Sequence, residues 1–243
     1  MPADSPTIIA TSMGFKPRGR GRFDLDAGPV FDLCAELSGA AGAPKVCFVG
    51  TATGDEKATI AGVYAALAPR FRPSHLALFP MPNLDDVRGH LLDQDVVWVG
   101  GGSVANLLAL WKLHGWDVYL REAWQAGVVL AGVSAGSLCW HVGGTTDSFG
   151  PTLRPVTNGL AFLPYSNGVH YDSEEQRRPL YHRLIAQGSL PDGYATDDGV
   201  GLVYSGTELV EAVADRDGCF AYSVSRGADG QVVETVIEPR RLS

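Results

Sequence analysis

A short stretch near the middle of the chain, residues 128–140, constrains the fold more than any other part of the sequence. Apolar residues run into Ala131-Gly132, Ser134 follows among small residues, and the segment after it can continue as a helix. A serine on a tight strand-to-helix turn needs neighbours that carry almost no side chain, so that its hydroxyl stays exposed. The pattern therefore predicts a nucleophile elbow, a geometry that serves acyl transfer. The structural alternative is a small-residue turn where a helix packs closely on a sheet.

The segments around the elbow alternate between strands and helices. Continuous apolar runs predict strands at residues 7–11, 45–52, 75–80, 96–99 and 128–133, and helical spacing predicts helices at residues 29–41, 55–70, 84–92, 104–114 and 116–126. Strands that are apolar throughout, separated by helices, are typical of a mostly parallel sheet covered on both faces. The fold class is therefore α/β, with a doubly wound sheet and helices on both faces.

The character of the sequence changes after the elbow. Residues 143–150 read as a loop and residues 160–163 as a strand, and a helix is expected from about Glu174 to Gln187, bent or split by Pro179. Turn signals then separate four short strands, at residues 200–204, 209–214, 220–224 and 232–237. These strands predict an antiparallel C-terminal extension at one edge of the sheet.

Length, charge and cysteine spacing exclude several classes of protein. The 243 residues suit one α/β domain over residues 1–243, and a net charge of −8 argues against a nucleic-acid partner. No apolar run is long enough to cross a membrane, and the first residues do not resemble a secretion signal, so a cytoplasmic protein is expected. The four cysteines are widely spaced, which indicates buried free thiols and neither a zinc site nor a disulfide framework.

A serine nucleophile needs a base within hydrogen-bond reach and an acid that orients the base. Among the six histidines, His170 follows a predicted strand and turn, from which a side chain can reach the carboxyl edge of the sheet. Gly100-Gly101-Gly102 ends an apolar strand, and exposed backbone N–H groups there suit an oxyanion hole shared with the N–H of Ala135. The order Ser, Asp, His of α/β-hydrolase esterases does not fit, since the last histidine is His182.

The same glycines permit a different function. Gly100, Gly102 and Ala105 follow a strand and precede a helix, and Glu122 lies about twenty residues further on. This spacing partly matches the dinucleotide-binding fingerprint, although the third glycine is missing. A non-catalytic nucleotide-binding or sensor module is therefore the alternative from another functional class.

Several motifs together resemble the peptidase E and cyanophycinase family of serine peptidases. They are Val-Gly-Gly-Gly at residues 99–102, the elbow Gly-Val-Ser-Ala-Gly-Ser at 132–137, Thr-Thr-Asp-Ser at 145–148, His170, and Ala-Thr-Asp-Asp-Gly at 195–199. The resemblance covers about residues 45–215. It implies a fold like that of class I glutamine amidotransferases, with serine in place of cysteine, and cleavage of dipeptides that carry an N-terminal aspartate.

The resemblance also implies roles for individual residues. Ser134 matches the nucleophile and His170 the general base, while Asp198 or Asp147 orients the imidazole, with Asp198 preferred. The oxyanion donors are then Gly101 or Gly102 together with Ala135. No step of this chemistry requires a metal or a cofactor.

Two positions depart from the family pattern. Ser103 stands where the family often has asparagine, and Glu174 aligns with the arginine that holds the substrate aspartate. Arg177 and Arg178, close to Glu174, are then candidates for substrate binding, as are Arg154 and the loop from Arg18 to Arg22, although the usual role of such arginines is surface ion pairing. The expected partner is a small peptide, with a homodimer left open, and the alternative within the family is an enzyme with a different preference for the N-terminal residue.

Overall fold

The structure is a computed structural model that describes residue 3 and residues 5–243. Part of the segment used to judge a secretion signal, namely Met1, Pro2 and Asp4, lies outside the described residues. Sixteen strands and seven α-helices are assigned over the described chain. In chain order they are β1 (Thr7–Thr11), β2 (Phe15–Pro17), β3 (Leu25–Ala27), α1 (Val30–Ser38), β4 (Lys45–Val49), α2 (Lys57–Leu67), β5 (Arg72–Leu76), α3 (Val87–Leu92), β6 (Val96–Val99), α4 (Val104–His114), α5 (Trp116–Gln125), β7 (Val129–Val133), α6 (Ala135–Leu138), β8 (Gly143–Thr146), β9 (Arg154–Val156), β10 (Ser166–Gly168), α7 (Arg177–Ala186), β11 (Gly193–Thr196), β12 (Val200–Ser205), β13 (Glu208–Ala214), β14 (Ala221–Arg226), β15 (Val232–Ile237) and β16 (Arg240–Arg241).

The main sheet contains eight strands in the order β16-β13-β12-β1-β7-β6-β4-β5. The five strands from β1 to β5 in this order are parallel, whereas β12 is antiparallel to β1 and β13 is antiparallel to β12. The carboxyl ends of β1, β7 and β6 therefore lie side by side at one edge. In parallel sheets this edge is where ligand sites form.

Both faces of the main sheet are buried, as the continuous apolar runs predict. Alternate residues of one strand enter different cores: Val97 packs with helices α3, α4 and α5, while Trp98 packs with α1 and α2. Both side chains are fully buried. The doubly wound α/β class is thus confirmed, because a sheet must be apolar on both sides to hold helices on both sides.

A second sheet of six strands, in the order β15-β14-β11-β10-β8-β9, packs against α7. Within it β8, β10 and β11 are parallel, and β14 and β15 are antiparallel. The four late strands are therefore antiparallel as expected, but they divide between two sheets and do not extend one edge. The chain crosses from β11 of the second sheet to β12 of the main sheet through residues 197–199.

Three local predictions after the elbow are wrong. Residues 143–146 of the expected loop form strand β8, and residues 160–163 form a buried turn whose backbone N–H groups bond to Cys139, Trp140 and His141. Helix α7 begins at Arg177, not near Glu174, so Pro179 falls in its first turn and does not split it. A proline is tolerated there because the first N–H groups of a helix have no partner within the helix.

The structure bears on two expectations drawn from composition, namely the membrane-spanning character of the helices and the state of the cysteines. Within the described residues, no helix combines the length and the apolar character needed to span a bilayer. Cys34, Cys47, Cys139 and Cys219 are all buried free thiols, as predicted.

Candidate active site

Ser134 lies on a strained turn between β7 and α6. Its φ is 57° and its ψ is −110°, values that non-glycine residues rarely adopt. The backbone N–H of Ser134 donates to the carbonyl oxygen of Thr11 at 3.0 Å, so the neighbouring strand β1 helps to hold the turn. The side chain is half-buried and lies at the carboxyl edge of the sheet. This geometry is the one predicted for a nucleophile elbow.

The two glycines of the elbow motif are required by close packing. A Cβ atom on Gly132 would lie 2.5 Å from the carbonyl oxygen of Gly136, and one on Gly136 would overlap the carbonyl of Val99. Both obstacles are backbone atoms, which cannot move aside as a flexible side chain can. The short spacing between α6, β7 and β6 thus explains why only glycine fits on either side of Ser134.

The glycine loop after β6 lies directly beside Ser134. An added Cβ on Gly101 would be 3.3 Å from Ser134 Cβ and 3.9 Å from Ser134 Oγ, and Gly102 has a φ of 129° that favours glycine. Over the described part of the chain, the backbone N–H groups of Gly101, Gly102 and Ala135 make no hydrogen bond to protein. Unpaired N–H groups next to a serine hydroxyl are the feature expected of an oxyanion hole.

The elements that carry His170 and Asp198 belong to the second sheet. His170 follows β10 and Asp198 follows the neighbouring parallel strand β11, each two residues after its strand ends. The two side chains meet at 2.5 Å, between His170 Nδ1 and Asp198 Oδ1. They are part-buried, with exposed side-chain fractions of 23% and 35%. A carboxylate that accepts from Nδ1 leaves Nε2 free to act as a base.

The environment of Asp198 favours its charged form. Partial burial alone would raise the pKa of Asp198. Hydrogen bonds from His170 and Ser173 lower it, and so do the nearby charges of His170 and Arg216. These effects outweigh burial, so the pKa lies below its usual value. The backbone is fixed too, because Asp198 N–H donates to Asp172 Oδ1 at 2.8 Å, and Arg216 pairs with the other oxygen of Asp172 at 3.0 Å. Asp198 is therefore a fixed carboxylate at neutral pH.

The end of strand β1 joins the two halves of the site. Thr11 O accepts the N–H of Ser134, and Ser12 Oγ accepts the N–H of His170 at 3.1 Å. No hydrogen bond links Ser134 Oγ to His170 among residues 5–243, and such catalytic contacts are often long before substrate binds. Sequence reasoning missed Thr11 and Ser12. The available signal was a pair of hydroxyl residues that ends an apolar strand at the carboxyl edge.

Asp147, the other candidate acid, lies apart from His170. It is exposed, in the loop after β8, and its side chain makes no hydrogen bond or ion pair with any described residue. It lines a small cavity of about 280 Å³ together with Glu174 and Glu175. The structure thus brings one of the two candidate acids, Asp198, to the imidazole.

The two candidate substrate-binding arginines are engaged elsewhere. Arg177 is 2% exposed, forms two hydrogen bonds with Glu174 at 2.8 and 3.2 Å, and donates a third to the carbonyl oxygen of Thr145. Arg178 donates to Glu234 on β15 and stacks over Tyr171. Both guanidinium groups therefore pair with carboxylates of the protein itself.

The glycine loop of the dinucleotide pattern lies beside Ser134, but the acidic residue of that pattern is engaged in an ion pair. Glu122, the acidic residue of the dinucleotide pattern, pairs with Arg88 at 2.5 Å. His141 is fully buried and its Nδ1 contacts Ser137 O at 2.9 Å, and burial lowers its pKa to about 4. Within residue 3 and residues 5–243, no group of three or more His, Cys, Asp or Glu side chains is arranged to hold a metal ion.

Comparison with known proteins gives the same family as the motifs. The pattern of peptidase family S51 matches residues 26–212. The peptidase YgaJ of Bacillus subtilis (strain 168) is 46% identical over 200 residues, which are 82% of this chain and 85% of YgaJ. Peptidase E of Shewanella denitrificans is 32% identical over 90 residues, covering 37% of this chain and 38% of its own.

Two solved structures share the fold. A Peptidase E protein from Listeria monocytogenes EGD-e superposes with a TM-score of 0.61 at 20% identity, covering 86% of this chain and 98% of its own. A peptidase from an acI-B1 Actinobacterium gives 0.64 at 16% identity, covering 97% and 95%. These matches confirm the expected fold, and the family pattern with its relatives confirms the expected enzyme class. The chain therefore belongs to peptidase family S51 and is a serine-type peptidase.

Proposed function

We propose that this chain hydrolyses short peptides through a triad of Ser134, His170 and Asp198. Ser134 Oγ attacks the peptide carbonyl carbon while His170 Nε2 takes the hydroxyl proton, and the oxyanion is bound by the N–H groups of Ala135 and of Gly101 or Gly102. The imidazolium then gives its proton to the leaving amine, and water hydrolyses the acyl-enzyme by the same steps in reverse. Asp198 stabilises the imidazolium without itself becoming protonated.

One observation carries this proposal. The strained Ser134 turn is held by Thr11, the last residue of β1, and the next residue, Ser12, holds the backbone of the His170–Asp198 pair, whose side chains meet at 2.5 Å. A tight strand-to-helix turn alone also occurs in ordinary packing, and a histidine–carboxylate pair alone is common on protein surfaces. Their attachment to two adjacent residues at the end of β1, beside unpaired backbone N–H groups, favours catalysis.

Ser134→Ala tests the mechanism. We expect turnover to fall by about 10⁶-fold, because the other members of a triad contribute little without the nucleophile. A fluorophosphonate probe should label the native chain at Ser134 and leave the variant unlabelled, with Ser137→Ala as a control that keeps the probe reactive. Unchanged hydrolysis by Ser134→Ala would contradict the assignment of the nucleophile. Binding of NAD with neither hydrolysis nor labelling would favour the non-catalytic nucleotide-binding alternative.

The preference for the N-terminal residue is a separate part of the proposal. The resemblance to aspartyl dipeptidases implies aspartate, but the arrangement of Arg177 supports the alternative of a different residue. Arg177 already has a carboxylate partner in Glu174, and Asp147 and Glu175 line a cavity with Glu174. A substrate carboxylate in this cavity would meet three carboxylates, one of which, Glu174, already neutralises Arg177.

A panel of dipeptides that differ only in the first residue decides between the two specificities. We expect kcat/KM for N-terminal aspartate to be no higher than for neutral first residues such as alanine or leucine. Asparagine in the first position is the matched comparison, because it has the shape of aspartate without the charge. A kcat/KM for aspartate that exceeds the asparagine value by about 10-fold or more would restore the aspartyl specificity.

A further inference from the structure

Ser12 forms hydrogen bonds on three sides at the end of β1. Its hydroxyl oxygen accepts the N–H of His170 at 3.1 Å and lies 2.8 Å from Thr196 Oγ1. Its backbone N–H donates to Val200 O at 2.8 Å, and its carbonyl accepts the N–H of Gly199 at 3.0 Å. The residue is buried, with 6% of its surface exposed. Every polar group of Ser12 is therefore used within the protein.

The backbone of His170 requires such support. Its φ of 53° lies in the left-handed region, where a residue other than glycine is strained unless its surroundings fix it. The chain leaves β10 at Gly168 and turns sharply, so the imidazole direction depends on this one conformation. The hydroxyl of Ser12 binds the N–H of the strained residue itself. A neighbouring bond from Glu174 N–H to His170 O, at 3.1 Å, fixes the other side of the turn.

The same short segment also holds the other two members of the site. Thr11 O accepts the N–H of Ser134, and Ser12 O accepts the N–H of Gly199, which follows Asp198. The nucleophile is thus tied to the main chain of Thr11, and the segment that carries the acid is tied to Ser12, through its carbonyl oxygen and through the contact of its hydroxyl with Thr196. The N–H of His170 is tied through the Ser12 side chain, so a substitution at Ser12 removes this bond and the Thr196 contact but leaves the main-chain anchors of Ser134 and Gly199 in place.

We propose that Ser12 is a positioning residue that fixes the His170 backbone, and with it the distance from the imidazole to Ser134. The inference rests on the proposed function of His170 as general base. Ser12 touches neither the substrate nor the reacting atoms. Because Ser12 holds the imidazole of His170 in the reactive position before substrate binds, replacing Ser12 lowers the rate of the chemical step and leaves peptide binding nearly intact.

Ser12→Ala is the first test. We expect kcat to fall by about 10-fold to 100-fold, the range for losing one buried hydrogen bond and misplacing a catalytic group, while KM changes by less than about threefold. The rate of fluorophosphonate labelling should fall in parallel, because labelling depends on the same base. Rates are measured well below the melting temperature and divided by the concentration of active sites, found by titrating the probe to completion.

Ser5→Ala is the matched control. Ser5 precedes the same strand at its opposite end, and its hydroxyl also pairs with another hydroxyl, Ser205 Oγ at 2.7 Å. We expect it to change stability without changing kcat. Ser12→Cys is the second variant, because the thiol fills the space of the hydroxyl but is a weak acceptor; it should fold like the native chain and still lose activity.

The outcomes separate the two proposals. If His170→Ala abolishes hydrolysis but Ser12→Ala and Ser12→Cys keep kcat within about twofold of the native value, the positioning inference is wrong and the triad stands. An equal loss of kcat in Ser5→Ala would also overturn the inference, since any loosening of β1 would then suffice. If His170→Ala remains active, the proposed triad itself fails.

Discussion

Replacing Asp198 with asparagine tests the orientation of the general base. The substitution preserves the shape of the side chain but removes the charge that lies 2.5 Å from His170 Nδ1. Two effects then lower the rate. The imidazolium loses its counter-charge, and the asparagine amide can donate to Nδ1, which places the remaining proton on Nε2, where the base needs a lone pair.

The size of the first effect follows from the geometry. Two unit charges about 4 Å apart attract by about 4 kcal/mol at an effective dielectric constant of about 20. Because 35% of the Asp198 side chain is exposed, solvent screening reduces this to about 3 kcal/mol, or about 10²-fold in rate. The unfavourable tautomer adds to this, and the corresponding change in a serine protease triad costs about 10⁴-fold. We therefore expect kcat to fall by between about 10² and 10⁴.

Asp147→Asn is the matched control, because it makes the same chemical change at an exposed carboxylate without a described partner. Its kcat should stay within about twofold of the native value. Both variants are assayed at pH 7 with the best dipeptide of the panel, and thermal melts check that each is folded. A loss of 10²-fold or more in Asp147→Asn, with Asp198→Asn close to native, would refute the assignment.

Two further predictions concern the glycine loop and a buried histidine. Gly101→Ala would place a methyl group 3.3 Å from Ser134 Cβ, so we expect kcat to fall by about 10²- to 10³-fold while the melting temperature stays nearly unchanged. Gly42→Ala is the control: its methyl group meets open space, so kcat and the melting temperature should both stay unchanged. Burial holds the pKa of His141 at about 4, so from about pH 6.5 down to about 4 the unfolded chain binds a proton that the folded chain does not. The free energy of unfolding should therefore fall with decreasing pH by up to about 1.4 kcal/mol per pH unit. Chemical denaturation at pH 7 and pH 5 measures this change. If His141→Gln shows the same dependence of the unfolding free energy on pH, the change belongs to other groups.

The strands of the main sheet could be predicted because their apolar residues are buried on both faces. Val96–Val99 has no polar residue to place in water, and the structure puts this strand at the centre of a covered sheet. The elbow could be predicted too, because the two glycines around Ser134 are required by backbone contacts that the motif encodes. Local sequence and tertiary packing agree at these positions.

The sequence predicts β14 and β15 of the second sheet, but strands β8 and β10 could not be predicted because they are built from small and polar residues. Strands β8 and β10 read Gly-Gly-Thr-Thr and Ser-Asn-Gly, compositions with little tendency to form strands. They are small because the neighbouring backbones approach closely: a Cβ on Gly144 would overlap the carbonyl of Asn167. Tertiary contacts, and not local preference, therefore determine these strands.

The pairing within the site followed from topology that the sequence does not display. Asp147 and Asp198 follow strands β8 and β11, which the sequence did not predict, and the choice between the two acids depends on which of these strands brings its following residue to His170. Strand β11 is the parallel neighbour that brings its following residue to His170, while β8 lies on the opposite side of β10. The side-chain anchor at Ser12 had the same origin, since β1 and β10 belong to different sheets.

The central place of β1 has a consequence for folding. Thr7 pairs with Ser205, and Ile8 pairs with Leu130, so both neighbours of β1 come from segments far along the chain. Contacts between residues so far apart in sequence are slow to form because the intervening chain must be closed into a loop first. The strand whose last residue holds the Ser134 turn is therefore among the parts of the sheet that depend most on distant contacts.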